Sequence, residues 1–266
     1  MADRKPFAPL RPGRRVWAIA AVHGEAERLA ALHAHLAGRI EPGESLVYLG
    51  NYLGHGAKVQ ETLDEILLFR RELLARPGAH VCDLAYLRGC QEEMWQKLQQ
   101  VQFSVGPRQV IDWMLGQGVA ATIAAYGGKP DDGLRAAGQG ATFLTKWTSA
   151  LRDGMRARPG HGELMSALKH AAFTRDGRLL FVSAGLDPAR PLSQQADSFW
   201  WGGPDFDRIA EPYSDYRLVV RGFDPRKGGA RVGPHTATLD QGCGFGGPLS
   251  AVCFSPEGEP VEFIDA

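Results

Sequence analysis

The segment Val16-Trp17-Ala18-Ile19-Ala20-Ala21-Val22-His23-Gly24-Glu25 passes from an apolar run straight into a glycine-bearing loop. The same strand-to-loop grammar recurs. Leu46-Val47-Tyr48-Leu49 leads into Gly50-Asn51-Tyr52-Leu53-Gly54-His55-Gly56, and Leu179-Leu180-Phe181-Val182 leads into Ser183-Ala184-Gly185. Short apolar runs bounded this way are buried-strand candidates, and helical patterns alternate with them, so the chain reads as α/β. Leu29, Leu32 and Leu36 place an apolar stripe on a helix after His23, while Ile66, Leu67, Arg70 and Leu74 fit a second helix. Both stripes read as core.

The loops form an ordered set from about Val16 to Val252. It resembles the signatures of the calcineurin-like metallophosphoesterases, near their bacterial serine/threonine protein phosphatase branch. Gly-Asp-x-His-Gly in that family has Ala21 at its aspartate and His23-Gly24 at its end. Gly-Asp-x-x-Asp-Arg-Gly falls on Gly50 to Gly56, and Gly-Asn-His-Glu on Gly89-Cys90-Gln91-Glu92. His-Ala-Gly-x-x-Pro falls on Ser183-Ala184-Gly185-Leu186-Asp187-Pro188, followed by Gln194-Gln195 and Trp200-Trp201. Gly-His-x-Pro falls on Gly222-Phe223-Asp224-Pro225, preceded by Arg221, and the run from Leu239 to Leu249 resembles the family's closing segment. Trp113, Thr122, Tyr126 and Gly127 fit the landmarks of a helical cap, expected over about 106–162. The resemblance implies a four-layer α/β/β/α sandwich whose two mixed sheets gather these loops at their carboxyl ends.

Active relatives hold two divalent ions about 4 Å apart, which stabilise charge on the phosphate and activate a bridging hydroxide. By position, Ala21 cannot ligate, Asn51 offers a neutral amide, Cys90 stands for an asparagine, and Ser183 and Phe223 replace two imidazoles. Only His23 keeps its ligand type. Gln91 stands where the catalytic histidine would be and cannot serve as an imidazolium acid. That histidine's aspartate partner is Gly54, and the phosphate-gripping arginine is His55. These positions imply a pseudophosphatase with no catalytic residue and no cofactor, acting as a binding or regulatory module for a protein or a phosphorylated ligand. Its altered rim of His55, Gln91, Arg221 and Phe223 is the expected contact surface. The competing reading is a phosphoesterase or protein phosphatase with a remodelled site, one zinc or manganese ion held by His23, Cys90 and His55, with Asp187 or Asp224.

Lysine plus arginine and aspartate plus glutamate each number 30, so no global field draws the protein to nucleic acid or an anionic membrane. Cys82, Cys90, Cys243 and Cys253 are scattered, and no secretory segment or long apolar span stands out, so a reducing cytoplasm is expected. Residues 1–15, with Arg4, Lys5, Arg11, Arg14 and Arg15 among Pro6, Pro9 and Pro12, read as a flexible basic tail before a single domain over 16–266. Gly127-Gly128-Lys129-Pro130-Asp131-Asp132-Gly133 reads as a loop.

Overall fold

The computed structural model describes residues 6–195, 197–203 and 206–266. A short strand, Phe7–Leu10 (β1), precedes a β-α-β-α-β run: Val16–Ile19 (β2), Ala26–Ala37 (α1), Ser45–Tyr48 (β3), Val59–Leu74 (α2) and Leu84–Tyr86 (β4). Cys90–Leu98 (α3) follows, then five helices in succession: Pro107–Gly116 (α4), Val119–Ala125 (α5), Pro130–Gln139 (α6), Ala141–Arg156 (α7) and His161–Ala167 (α8). Ala171–Thr174 (β5), Leu179–Val182 (β6), the single turn Ser198–Trp201 (α9), Leu218–Arg221 (β7), Arg231–Val232 (β8), Thr236–Thr238 (β9), Ser250–Phe254 (β10) and Pro260–Asp265 (β11) complete it.

The strands make two mixed sheets, ordered β11-β10-β2-β3-β4 and β1-β5-β6-β7-β9-β8. Every residue of β2, β3, β6, β7 and β10 is buried, which explains why they read as continuous apolar runs instead of alternating ones. The sheets pack face to face, with Phe181 of β6 edge-on to Phe254 of β10 at 5.9 Å between ring centres. Period-2 alternation divides β6 between two cores. Leu179 and Phe181 enter the core between the sheets, while Leu180 and Val182 join Phe199, Trp200, Phe206 and Tyr213 on the other face. The helices α1 and α2 pack on one another outside the first sheet, so the molecule is an α/β sandwich. Among the described residues, no helix is long and apolar enough to cross a membrane. All four cysteines are free.

Three local expectations change. Residues 1–5, including Arg4 and Lys5, lie outside the described residues, but residues 7–10 are no loose tail: β1 pairs in parallel with β5 from Phe7↔Ala171 to Leu10↔Thr174. An edge strand has one free side, where Pro9 can sit without removing a needed donor from the sheet interior. Arg11 and Arg15 are also held, by Asp83 and Glu44. The core stripe of α2 is Leu63, Ile66, Phe69 and Leu73, so Leu67, Arg70 and Leu74 flank the buried face. Finally, Pro130 begins α6 as its first residue, with Asp131 and Asp132 in the first turn. Proline's fixed φ and acids near a helix amino terminus are start signals, so the loop is shorter than its composition suggested.

The five-helix region is tied to the sandwich by polar contacts. The Tyr126 hydroxyl meets His161 Nδ1 at 2.8 Å, and His161 Nε2 lies 3.0 Å from Asp64 Oδ1 on α2. The Trp95 indole N–H of α3 points at Met155 Sδ of α7, at 3.3 Å.

Candidate functional site

The loops after β2, β3 and β4 are hung on each other by backbone hydrogen bonds. Val22 and His23 both donate their N–H to Asn51 O, at 3.0 and 2.7 Å, and Gly24 N donates to Tyr52 O at 2.9 Å. A Cβ at Gly56 would lie 2.6 Å from the carbonyl oxygens of both His23 and Gly24, so only glycine permits this approach. His23, Asn51 and His55 have φ of 53°, 56° and 45°, left-handed values uncommon outside glycine. Glu92 anchors the arrangement. Its buried carboxylate accepts N–H groups from Asn51, Tyr52 and Gly89, each at 2.8 Å, and from Leu53 at 3.1 Å. Burial pushes this carboxyl's pKa up even though the four donors favour its anion.

At the centre, Asn51 Oδ1 accepts from Cys90 Sγ at 3.3 Å and from Gln91 N at 3.1 Å. Burial raises the Cys90 thiol well above its ordinary range, with the Glu92 charge acting the same way, so it remains protonated. Gln91 Nε2 donates to Gln117 O at 2.7 Å and lies 3.3 Å from His55 Nε2. The turn between α4 and α5 is drawn down further by His55 N to Gly118 O at 3.2 Å, and Gly54 N donates to Thr122 Oγ1 at 3.0 Å. A Cβ on Gly54 would meet Gln91 Oε1 at 2.2 Å, so Gln91 fills the space an aspartate at position 54 would need.

His23 is fully buried, and neither ring nitrogen has a partner in hydrogen-bond geometry. Burial drives its pKa down to about 3, helped by His55 and Lys227 and opposed by the nearby Leu53 carbonyl. Three rings surround it at 5.0 to 5.4 Å between centres: His55, Phe223 and Phe245. Phe245 also lies 4.4 Å from His55 and carries Lys227 Nζ 3.8 Å above its ring centre. An aromatic cluster therefore occupies the loop centre. Asn51 Nδ2, Gln91 Oε1 and Ser183 Oγ are likewise buried without a protein partner.

The loops from the other sheet close the site. Ser183 O accepts Gly222 N at 3.0 Å and Phe223 N at 2.9 Å, and Ala21 N donates to Gly222 O at 2.9 Å, joining the two sheets' loops. Arg221 donates from Nε to Thr238 Oγ1 at 2.9 Å, and its Nη2 pairs with Asp207 at 3.2 Å and Asp224 at 3.1 Å. Its guanidinium carbon lies 4.3 Å from the Phe206 ring centre. Asp224 also pairs with Arg231 at 3.0 Å and accepts the N–H of Arg226 and Gly228, both at 3.1 Å. Burial pushes its carboxyl upward, but Arg221 and the other donors outweigh it and hold the pKa below the usual 3.8.

This donor set does not suit two dications. Ala21 and Phe223 carry no donor, Asn51 and Ser183 are neutral, and the Cys90 proton is spent on Asn51. The single-ion alternative also fails to assemble: among the described residues no three histidine, cysteine, aspartate or glutamate side chains gather to hold a metal. Asp224 is committed to two arginines and Asp187 to Arg190 and Ala189 N. The expected rim needs correction as well. Gln91 is 2% exposed and Arg221 3%, so neither presents a surface: Gln91 lies under the turn between α4 and α5, donating to Gln117 O, and Arg221 is held by Thr238, Asp207 and Asp224. The mouth is instead marked by Phe245, 40% exposed, and exposed Lys227. Phe245 lies between Gly244 and Gly246, a spacing that keeps neighbouring side chains away, yet nothing local points its ring at His23.

No protein-family model matches the chain, and no curated protein matches it. Solved structures do. A protein assigned as a diadenosine tetraphosphatase is 18% identical, covering 98% of both chains with a TM-score of 0.58. A protein serine/threonine phosphatase from Saccharomyces cerevisiae is 14% identical over 99% of this chain and 84% of its own, with a TM-score of 0.53. A mutant cold-active protein tyrosine phosphatase is 12% identical over 98% of this chain and 84% of its own, with a TM-score of 0.51. At these identities the likeness speaks to the fold, which agrees with the ordered loops and the two-sheet sandwich: the chain has the fold of the calcineurin-like metallophosphoesterases.

Proposed function

We propose that this protein is a catalytically inactive phosphatase-like module whose scaffold serves binding or regulation. The observation that carries this reading is the ring cluster of His23, His55, Phe223 and Phe245, placed where the fold would gather metal ligands. An imidazole held near pKa 3 does not supply an acid, and Gln91 has no titrating proton to give. Fold alone does not dictate activity, so a scaffold that has lost its ligands is free for recognition. The partner is a protein or a phosphorylated ligand, met at the mouth formed by Phe245 and Lys227, where an aromatic face and a cation stand together.

The test is metal analysis of protein purified without added metal, paired with hydrolysis of p-nitrophenyl phosphate and a phosphopeptide in manganese, zinc and magnesium. We expect no stoichiometric metal and no chelator-sensitive turnover. Turnover that follows the protein through purification and disappears in Asn51→Ala would overturn the reading. Melting offers a second check, since a ligand at one hundred times its Kd stabilises the native state by about 2.7 kcal/mol. Chelation should leave the melting temperature unchanged.

A further inference from the structure

Away from the cleft, β1 at the edge of one sheet and β4 at the edge of the other border a groove of ≈ 830 Å³. Its apolar lining comes from Phe7 and Pro9 of β1, Leu84 of β4, Leu67 of α2 and Leu164 of α8. A volume of this size is typical of sites that take a small organic ligand. Two polar groups of the lining stand beside one another. Tyr86 is 8% exposed, its ring stacks on Tyr48 at 5.1 Å and 18°, and its hydroxyl is buried without a partner. Burial raises the pKa of that hydroxyl, so it stays protonated and able to donate. The second group is Arg70, half-buried on α2, which makes no hydrogen bond or ion pair among the described residues. Its charge is close enough to act on the Tyr86 hydroxyl.

A buried hydroxyl without an acceptor is destabilising, and a guanidinium in an apolar wall without an anion is also disfavoured. Both lack the same thing. The remaining charges around the groove are Lys169, Arg175 and Glu163, so cations outnumber acids three to one. We propose that this groove binds a small amphiphile with an apolar body and one carboxylate, its head taken by Arg70 and Tyr86 and its body laid against Phe7, Leu67 and Leu164. A carboxylate matches the paired N–H donors of a guanidinium and has an oxygen lone pair left for the tyrosine. The inference is independent of what happens at the phosphatase-like cleft.

Decanoate is the probe and decanol its neutral counterpart, both titrated into the full chain by calorimetry and followed by melting. Decanoate should bind saturably at one per chain and raise the melting temperature. Decanol should bind about tenfold more weakly or worse, since it lacks the charge-assisted bonds. Arg70→Gln should weaken decanoate by about tenfold or more and leave decanol unchanged. Tyr86→Phe, which keeps the stacked ring and removes the unpartnered hydroxyl, should weaken decanoate several-fold without lowering the melting temperature of the free protein. Absence of decanoate binding, or equal affinity of the wild type for decanoate and decanol, would overturn the proposal without recourse to any variant. Equal decanoate binding by wild type and Arg70→Gln would also sink it, leaving the groove as a surface for an extended peptide beside the two edge strands.

Discussion

The loops carried by β2, β3 and β4 and those carried by β6 and β7 solve one electrostatic problem in opposite ways. A cleft of carboxylates without metal ions repels itself, and either fewer acids or more cations removes the repulsion. The first set carries no acid at positions 21, 51 and 54, which hold Ala21, Asn51 and Gly54, and the buried Glu92 is turned onto four backbone N–H groups. The second set keeps acids and adds cations, with Asp207 and Asp224 clasped by Arg221 and Arg231. One half is held by backbone geometry and the other by paired charges. The loop shapes are therefore held by Glu92, by backbone hydrogen bonds and by arginine–aspartate pairs, none of which requires a bound ion.

Four measurements bear on this contrast, beginning with the largest expected effect. Glu92→Ala removes the acceptor of four buried N–H groups and should cost about 4 kcal/mol or more in denaturant titration. Arg221→Leu breaks a buried pair from one side and should cost about 3–5 kcal/mol. Adding Asp224→Asn should recover part of that loss in a double-mutant cycle, whereas it should recover nothing in Glu92→Ala. If Glu92→Ala proves the milder of the two, the division between backbone-held and charge-held loops is wrong.

The third measurement is pH dependence. His23 titrates near 6.5 unfolded and near 3 in the fold, so between those values the unfolded chain binds the extra proton. Its contribution is complete above pH 6.5 and declines as pH falls toward 3, by up to about 1.4 kcal/mol per pH unit. His33, His55 and His170, also held below their ordinary pKa by burial, act in the same direction. Asp224, held below 3.8, adds a loss at lower pH still. The urea midpoint should fall from pH 7 to 4.5, with a shallower slope in His23→Asn, whose side chain tolerates the left-handed backbone at that position. An unchanged slope would show that the ring cluster does not hold His23 neutral. The smallest effect is Phe245→Ala, about 1 kcal/mol from lost ring contacts and the Lys227 cation–π pair.

Much of the fold was legible because its signals are local. The runs at Leu46 to Leu49 and Leu179 to Val182 became β3 and β6, and the Leu29, Leu32 and Leu36 stripe is the buried face of α1. The strand at Phe7–Leu10 was hidden because prolines and arginines mask a pattern that only its partner β5 completes. The α2 stripe slipped in phase because Leu67, Arg70 and Leu74 lie beside the true core row, and burial of a helical face is decided by what packs on it.

At the candidate site, the sequence by itself determined which donors are absent, since Ala21, Ser183 and Phe223 cannot become a carboxylate or an imidazole in any fold. It also carried the glycines, whose positive φ and close approaches are requirements of the backbone at those turns. Only the tertiary structure decided what took the empty space. Phe245 reaches His23 from the other end of the chain, Gln91 turns to Gln117, and Arg221 turns inward to Asp224, all through contacts between segments far apart or folded back in space. Side-chain identity limits what a group can do chemically, but its direction and burial depend on neighbours brought together by the sheets, and so become readable only when the chain has closed upon itself.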